Sequence, residues 1–207
     1  PSGTVFTACD KFSVDKNNSL HAFCHANGKY HLMGCILSAA SANKWWIEDI
    51  LHSKDYEGEV ACVSEKTGEN GVYFLPYLMG ERSPHNDVNA RGAFIGMRLD
   101  TTRQELSLAV LEGVAFALRD CVEAARSSGL KISAATLCGG GAKSPLWRRI
   151  IADVLDAEII IPEVEQGPGY GAAMLAMVAA GEYSSVEEAV EKIVKTKERV
   201  APNKEKV

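Results

Sequence analysis

Three consecutive glycines, Gly139, Gly140 and Gly141, separate an apolar strand-like stretch at residues 134–138 from an amphipathic helix that opens at Ser144. Glycine has no Cβ, so a ligand can come close to the main chain here, and the helix that follows offers unpaired N–H groups and a positive dipole end to an anion. A plain strand-to-helix turn is the competing explanation. One glycine suffices for such a turn, whereas this one has three, followed by Ala142, Lys143 and a capping-type Ser144 ahead of Pro145. The pattern points to a turn that holds the phosphates of a nucleotide.

With 207 residues, 46% of them hydrophobic, the chain can bury a substantial core, and one domain covering residues 1–207 is expected. Lysine and arginine number 22 against 27 acids, a net charge of −5, and no basic cluster follows a phosphate backbone, so nucleic acid is not an expected partner. No window approaches the roughly 20 apolar residues of a membrane helix, and residues 1–20 lack the pattern of a secretory signal. A membrane is therefore not expected as a partner, and the expected location is the cytoplasm. The six cysteines form no Cys-x-x-Cys pair and fit reduced thiols. His21, Cys24, His25 and His31 lie close in sequence, but their spacing matches no zinc pattern, and no metal site is assigned.

Along the chain, the start reads as a Gly-Thr turn and a strand, as though cut inside a β-hairpin, and this suggests a fragment. A polar turn at residues 15–19 and two extended stretches follow. Residues 33–51 space Ile36, Leu37, Ala40, Trp45, Ile47 and Ile50 as a helix would. The charged, glycine-containing residues 52–71 form a surface region with no assignable structure. Strands are expected at 72–78 and 92–97, and a long helix at about 103–128, opened by a capping box of Thr102 with Glu105. That helix is apolar on more than one side and must be buried on both. Glu112 stands alone in its apolar run and needs a partner, for which a structural salt bridge is the leading reading.

Beyond the glycine turn, a helix over 144–155 and a strand over 157–161 lead to a small-residue helix from Tyr170, built for close packing against a neighbour. A capping box at Ser185 opens a terminal helix. Strand and helix alternate over 134–180, as in an α/β core. Gly167, Gly169 and Gly171 imitate a dinucleotide fingerprint, but their spacing and the proline after the strand do not fit it. They are read instead as a glycine-lined lead into the small-residue helix.

Several segments together resemble the C-terminal domain of the FGGY carbohydrate kinases, and within that family the kinases of the pentulose D-xylulose most closely. They are Ser38-Ala39-Ala40-Ser41 ahead of Trp45, the run from Phe74 through Gly80-Glu81-Arg82-Ser83-Pro84-His85-Asn86, and Gly139-Gly140-Gly141-Ala142-Lys143-Ser144 before Trp147. Gly92-Ala93-Phe94-Ile95-Gly96-Met97, seven further residues and the run from Glu105 to Glu112 match the family's C-terminal signature. The resemblance covers about residues 2–180. It implies an α/β, ribonuclease-H-like lobe of the actin, hexokinase and Hsp70 ATPase type, with a mixed sheet flanked by helices.

It further implies the nucleotide-binding lobe of an ATP-dependent kinase that makes D-xylulose 5-phosphate, with ATP/ADP and Mg2+ as cofactors. The sugar-binding N-terminal domain and its catalytic aspartate would be absent from the chain, leaving the lobe inactive alone and no catalytic residue within it. By the same resemblance Gly140, Gly141, Ala142, Lys143, Ser144, Ala40 and Lys44 would line the nucleotide site, although Lys44 departs from the neutral or acidic residue expected there. Gly3 and Thr4 would belong to a second phosphate turn. Glu81 and Arg82 would fix their loop or approach the sugar. Another FGGY substrate (glycerol, gluconate or ribulose) and an Hsp70-like or actin-like ATPase lobe remain open, as does a homodimer.

Overall fold

Alternation of core-facing and outward residues builds the first layer of the computed structural model, which describes residues 2–206. Strands β1 (Gly3–Cys9), β2 (His21–Cys24) and β3 (Tyr30–Ile36) form an antiparallel sheet in the order β1-β3-β2, with Phe6 opposite Met33 and Phe23 opposite His31. Leu32 and Ile36 turn to the core. On the other face the His31 ring stacks on Phe6, with centroids 3.8 Å apart, and on Phe23. The Asp15 carboxylate accepts the N–H groups of Ser19 and Leu20 and shapes the turn expected at 15–19.

The helix expected over 33–51 begins later. Residues 33–36 belong to β3, where they pair with β1, and the run 32, 34, 36 follows the two-residue period of a strand. Gly34 has a packing reason: a Cβ there would lie 2.7 Å from the Cβ of Cys121. Helix α1 (Ala40–Lys44) starts only after this strand and continues as wider π-type turns over Trp45–Ile50. Residues 52–71 hold the short helix α2 (Gly58–Ala61) and a 3-10 turn at Ser64–Lys66.

A ribbon of β4 (Tyr73–Leu75) and β5 (Ala93–Ile95), shorter than the two strands expected, lies against the long helix α3 (Arg103–Ser127). The capping box of Thr102 and Glu105 is present. Every residue from Ser107 to Ala115 is buried, which answers the expectation of burial on more than one side. The third sheet, in the order β6-β7-β8, is mixed: β6 (Ala134–Thr136) runs parallel to β7 (Glu158–Pro162), and β8 (Thr196–Val200) runs antiparallel to β7. Helix α4 (Pro145–Leu155) packs on α3 and β7.

One reading is corrected by these contacts. Glu112 has no salt-bridge partner among the described residues; its Oε1 accepts the Gly68 N–H at 2.8 Å. Burial pushes its carboxyl above the usual 4.5, outweighing hydrogen bonds from Gly68 and Asn70 and the more distant charge of Lys206. Because the folded state holds this proton more tightly than the unfolded chain, the contribution of Glu112 to stability is full below 4.5 and is lost as pH rises through the raised value. Glu112→Gln should therefore gain on the wild type in melting temperature as pH rises from about 4 to about 7, and a pH-independent difference would refute this.

The small-residue helix α5 (Pro168–Ala179) leaves most of its surface open. Only Met174 is buried, its packing partner is α6 (Val186–Ile193), and Leu175 and Met177 stay exposed. Small side chains permit close packing, but they do not supply the opposing surface.

Candidate functional site

The glycine turn forms because its backbone needs it. Gly139 has φ +93°, a region that side chains rarely enter, and it redirects the chain from β6 into a 3-10 turn over Gly140–Lys143. Ser144 then caps α4, its Oγ accepting the Trp147 N–H, with Pro145 in the first helical turn. Trp147 is buried, and its indole N–H donates to the Leu111 carbonyl of α3 at 3.0 Å. A Cβ on Gly141 would sit 3.0 Å from that indole, so the turn lies directly on the ring. Behind the turn, the buried guanidinium of Arg148 donates to the Ala142 carbonyl and reaches Glu198 of β8 at 2.5 Å.

Two cavities meet at Gly140 and Gly141. The larger, about 430 Å³, has an apolar wall of Ala40, Val60, Leu111 and Trp147 and a polar rim of Asn43, Lys44, Glu57, Lys143 and Ser144. An apolar slot with a few convergent polar groups suits a flat heteroaromatic ring. The N-terminus of α4 and Lys143 place positive potential at one end of it. Tyr56, also on the wall, donates its hydroxyl to Glu48 at 2.7 Å, and Glu48 in turn pairs with Lys44 at 3.8 Å. Burial, then the bond to Glu48, pushes the Tyr56 phenol up to about 12, so it stays protonated. The smaller cavity, about 230 Å³, lies between Gly3 and Thr4 on one side and residues 137–142 on the other.

Of the residues expected at a nucleotide site, Ala40, Lys44, Gly140, Gly141, Lys143 and Ser144 border the larger cavity. Ala142 does not; it is fully buried and borders the smaller one. Gly3 and Thr4 do meet the glycine turn across that smaller cavity, while Glu81 and Arg82 border neither. Sequence reasoning missed Asn43, Tyr56, Glu57 and Trp147. Asn43 lies one turn of helix beyond Ala40 and Trp147 follows Ser144 by three, so helical spacing was an available signal for both. Among the described residues no group of three or more His, Cys, Asp or Glu side chains is placed to hold a metal. No helix among them is long and apolar enough to cross a membrane.

A glycine turn and a helix N-terminus beside an apolar slot, on a lobe of mixed sheet flanked by helices, define a domain of the sugar-kinase fold. The family profile described as "FGGY family of carbohydrate kinases, C-terminal domain" matches residues 3–180, and the chain belongs to that family. A xylulose kinase of Staphylococcus epidermidis is 34% identical over 206 residues, which are 99% of this chain and 42% of that protein. The crystal structure of a "xyloylose kinase" from Brucella ovis superposes with a TM-score of 0.89 at 37% identity, covering 99% of this chain and 42% of that one. A gluconate kinase from Lactobacillus acidophilus gives the same TM-score of 0.89 at 26% identity, with the same coverage of 99% and 42%. The chain thus spans less than half the length of these relatives.

Proposed function

We propose that this chain is the nucleotide-binding lobe of an ATP-dependent sugar kinase that converts D-xylulose to D-xylulose 5-phosphate. The observation that carries the reading is the meeting of two cavities at Gly140 and Gly141, beside the N-terminus of α4. In this reading the base lies in the larger cavity, against Ala40 and Trp147, while the phosphates pass over the glycine main chain toward Gly3 and Thr4. Magnesium would come with the nucleotide and would supply neutralisation of the phosphate charge. Among the described residues Glu57 is the one carboxylate on the larger cavity's wall, too few ligands for a dedicated site.

The sugar hydroxyl needs a base to take its proton as it attacks the γ-phosphate. No carboxylate among the described residues borders the smaller cavity, where that phosphate would lie. The base is therefore assigned to the part of the kinase outside these residues. D-xylulose as acceptor is supported by the xylulose kinase relative at 34% identity; gluconate is the second reading, supported by a structural neighbour of equal TM-score and lower identity.

Calorimetry with magnesium-ADP on the 207-residue chain is expected to show binding at millimolar concentration or tighter, and no heat at that concentration would refute the nucleotide reading. A coupled ADP-release assay with xylulose and magnesium-ATP is expected to show no turnover by this chain alone. Robust turnover would place the base within it.

A further inference from the structure

The loop at residues 76–87 carries a carboxyl group that touches neither cavity. Glu81 is 2% exposed, and its Oε1 accepts two main-chain N–H groups, from Leu37 at 2.9 Å and from Arg82 at 2.7 Å. Its Oε2 is buried with no hydrogen-bond partner. The loop is closed on itself by reciprocal main-chain bonds between Glu81 and Asp87, and the Ser83 N–H donates to the Cys35 carbonyl of β3 at 3.1 Å. Two more buried oxygens without partners, Ser38 Oγ and Ser83 Oγ, flank the same seam. Buried polar groups left unpaired are rare enough in folded proteins to call for a reason.

Leu37 is the corner between β3 and α1. Three residues later Ala40 begins α1 and borders both cavities, and Asn43 and Lys44 follow on the larger one. The N-cap of α1, Ala39, supplies no side-chain hydrogen bond. The N-cap side chain therefore does not aim this helix, and the acceptor for the Leu37 N–H comes from a side chain 44 positions away. The start of α1 is thus tied to the 76–87 loop, while its length packs on α3.

We propose that Glu81 is a positioning residue for the nucleotide pocket, one of its carboxyl oxygens pinning the corner between β3 and α1 to the 76–87 loop and so setting where Ala40, Asn43 and Lys44 stand. The inference rests on the larger cavity being the nucleotide site. Burial raises the Glu81 carboxyl, outweighing the two N–H bonds and the nearby His85. The acceptor role does not depend on a negative charge, since a neutral amide accepts the same two N–H groups.

Magnesium-ADP titrations of the wild type, Glu81→Gln, Glu81→Asp and Glu81→Ala, paired with hydrogen exchange at the Leu37 amide, test this below the melting temperature of each. The Gln variant is expected to bind within about threefold of wild type, while Asp, too short to reach Leu37, and Ala lose about tenfold and exchange Leu37 faster. Wild-type affinity in a folded Asp or Ala variant overturns the proposal, and so does a Gln variant that fails as badly as Ala. If Ala does not fold, Asp against Gln decides on the same readouts. Should the wild type itself take up no ADP, it is the nucleotide reading that fails. Unchanged Leu37 exchange in Asp and Ala would then separately overturn the positioning role.

Discussion

Gly113→Ala is expected to lower the melting temperature by about 4–12 °C, from a loss of roughly 2–3 kcal/mol in a chain of this size. Gly113 lies where α3 crosses β4, and an added Cβ would stand 2.1 Å from the Phe74 carbonyl oxygen and 3.2 Å from the Phe74 Cβ. The first contact is with main chain, which cannot rotate aside as a side-chain tip can. Alanine regains about 1 kcal/mol of helix propensity over glycine, so the steric term must exceed that to win. It does so because the ribbon cannot slip freely: Phe74 packs on Phe94, with ring centroids 4.7 Å apart, and on Trp45 at 6.4 Å. A thermal melt followed by circular dichroism reads the result directly. A drop below about 2 °C would mean that β4 moves off α3 at little cost.

Gly140→Val should do the opposite, sparing the fold and removing the ligand. A Cβ at Gly140 meets no heavy atom within 4 Å, and its φ lies outside the left-handed region that strains a side chain. Yet Gly140 borders both cavities. A branched side chain there would occupy the space through which a nucleotide's ribose and phosphates pass, and the expected loss is at least tenfold in magnesium-ADP affinity, about 1.4 kcal/mol. The melting temperature without nucleotide should move by no more than about 2 °C, since surface substitutions away from special features change stability by about 0.5 kcal/mol or less. A variant that binds ADP as the wild type does would show that the nucleotide does not approach this stretch of main chain.

Local chemistry made much of this chain readable in advance, and long-range packing hid the rest. Gly139 to Pro145 announced a turn and a capped helix because the special backbone at Gly139 and the cap at Ser144 are written in adjacent residues. The capping box at Thr102 was legible for the same reason. Residues 33–36 misled because Gly34 and Ile36 fit either period, and the choice was made by β1 pairing from thirty residues away. Tyr56 and Glu57 were hidden in a segment whose charge and glycines suggested only surface, yet that segment is the far wall of the larger cavity. Glu112 was correctly read as needing a partner, but a main-chain N–H leaves no trace in a sequence, and a cation was the more visible candidate. Ala142 borders the smaller cavity rather than the larger, and the bond from Arg148 to its carbonyl, with Glu198 of β8 on the far side of the guanidinium, comes from residues its own motif does not include.

The Arg148 link joins two parts of the chain that have no neighbouring residues in sequence. Its guanidinium holds the Ala142 carbonyl on one side and Glu198 on the other, and Glu198 lies beyond residue 180, where the family match ends. Strand β8 is mostly exposed and is held through β7, as an outermost strand is. Such strands fray first, and cooperative units open together. Opening of β8 would take Glu198 away from Arg148 and leave the Ala142 carbonyl as the buried guanidinium's remaining partner, so an edge strand outside the matched profile bears on how stiffly the glycine turn is held.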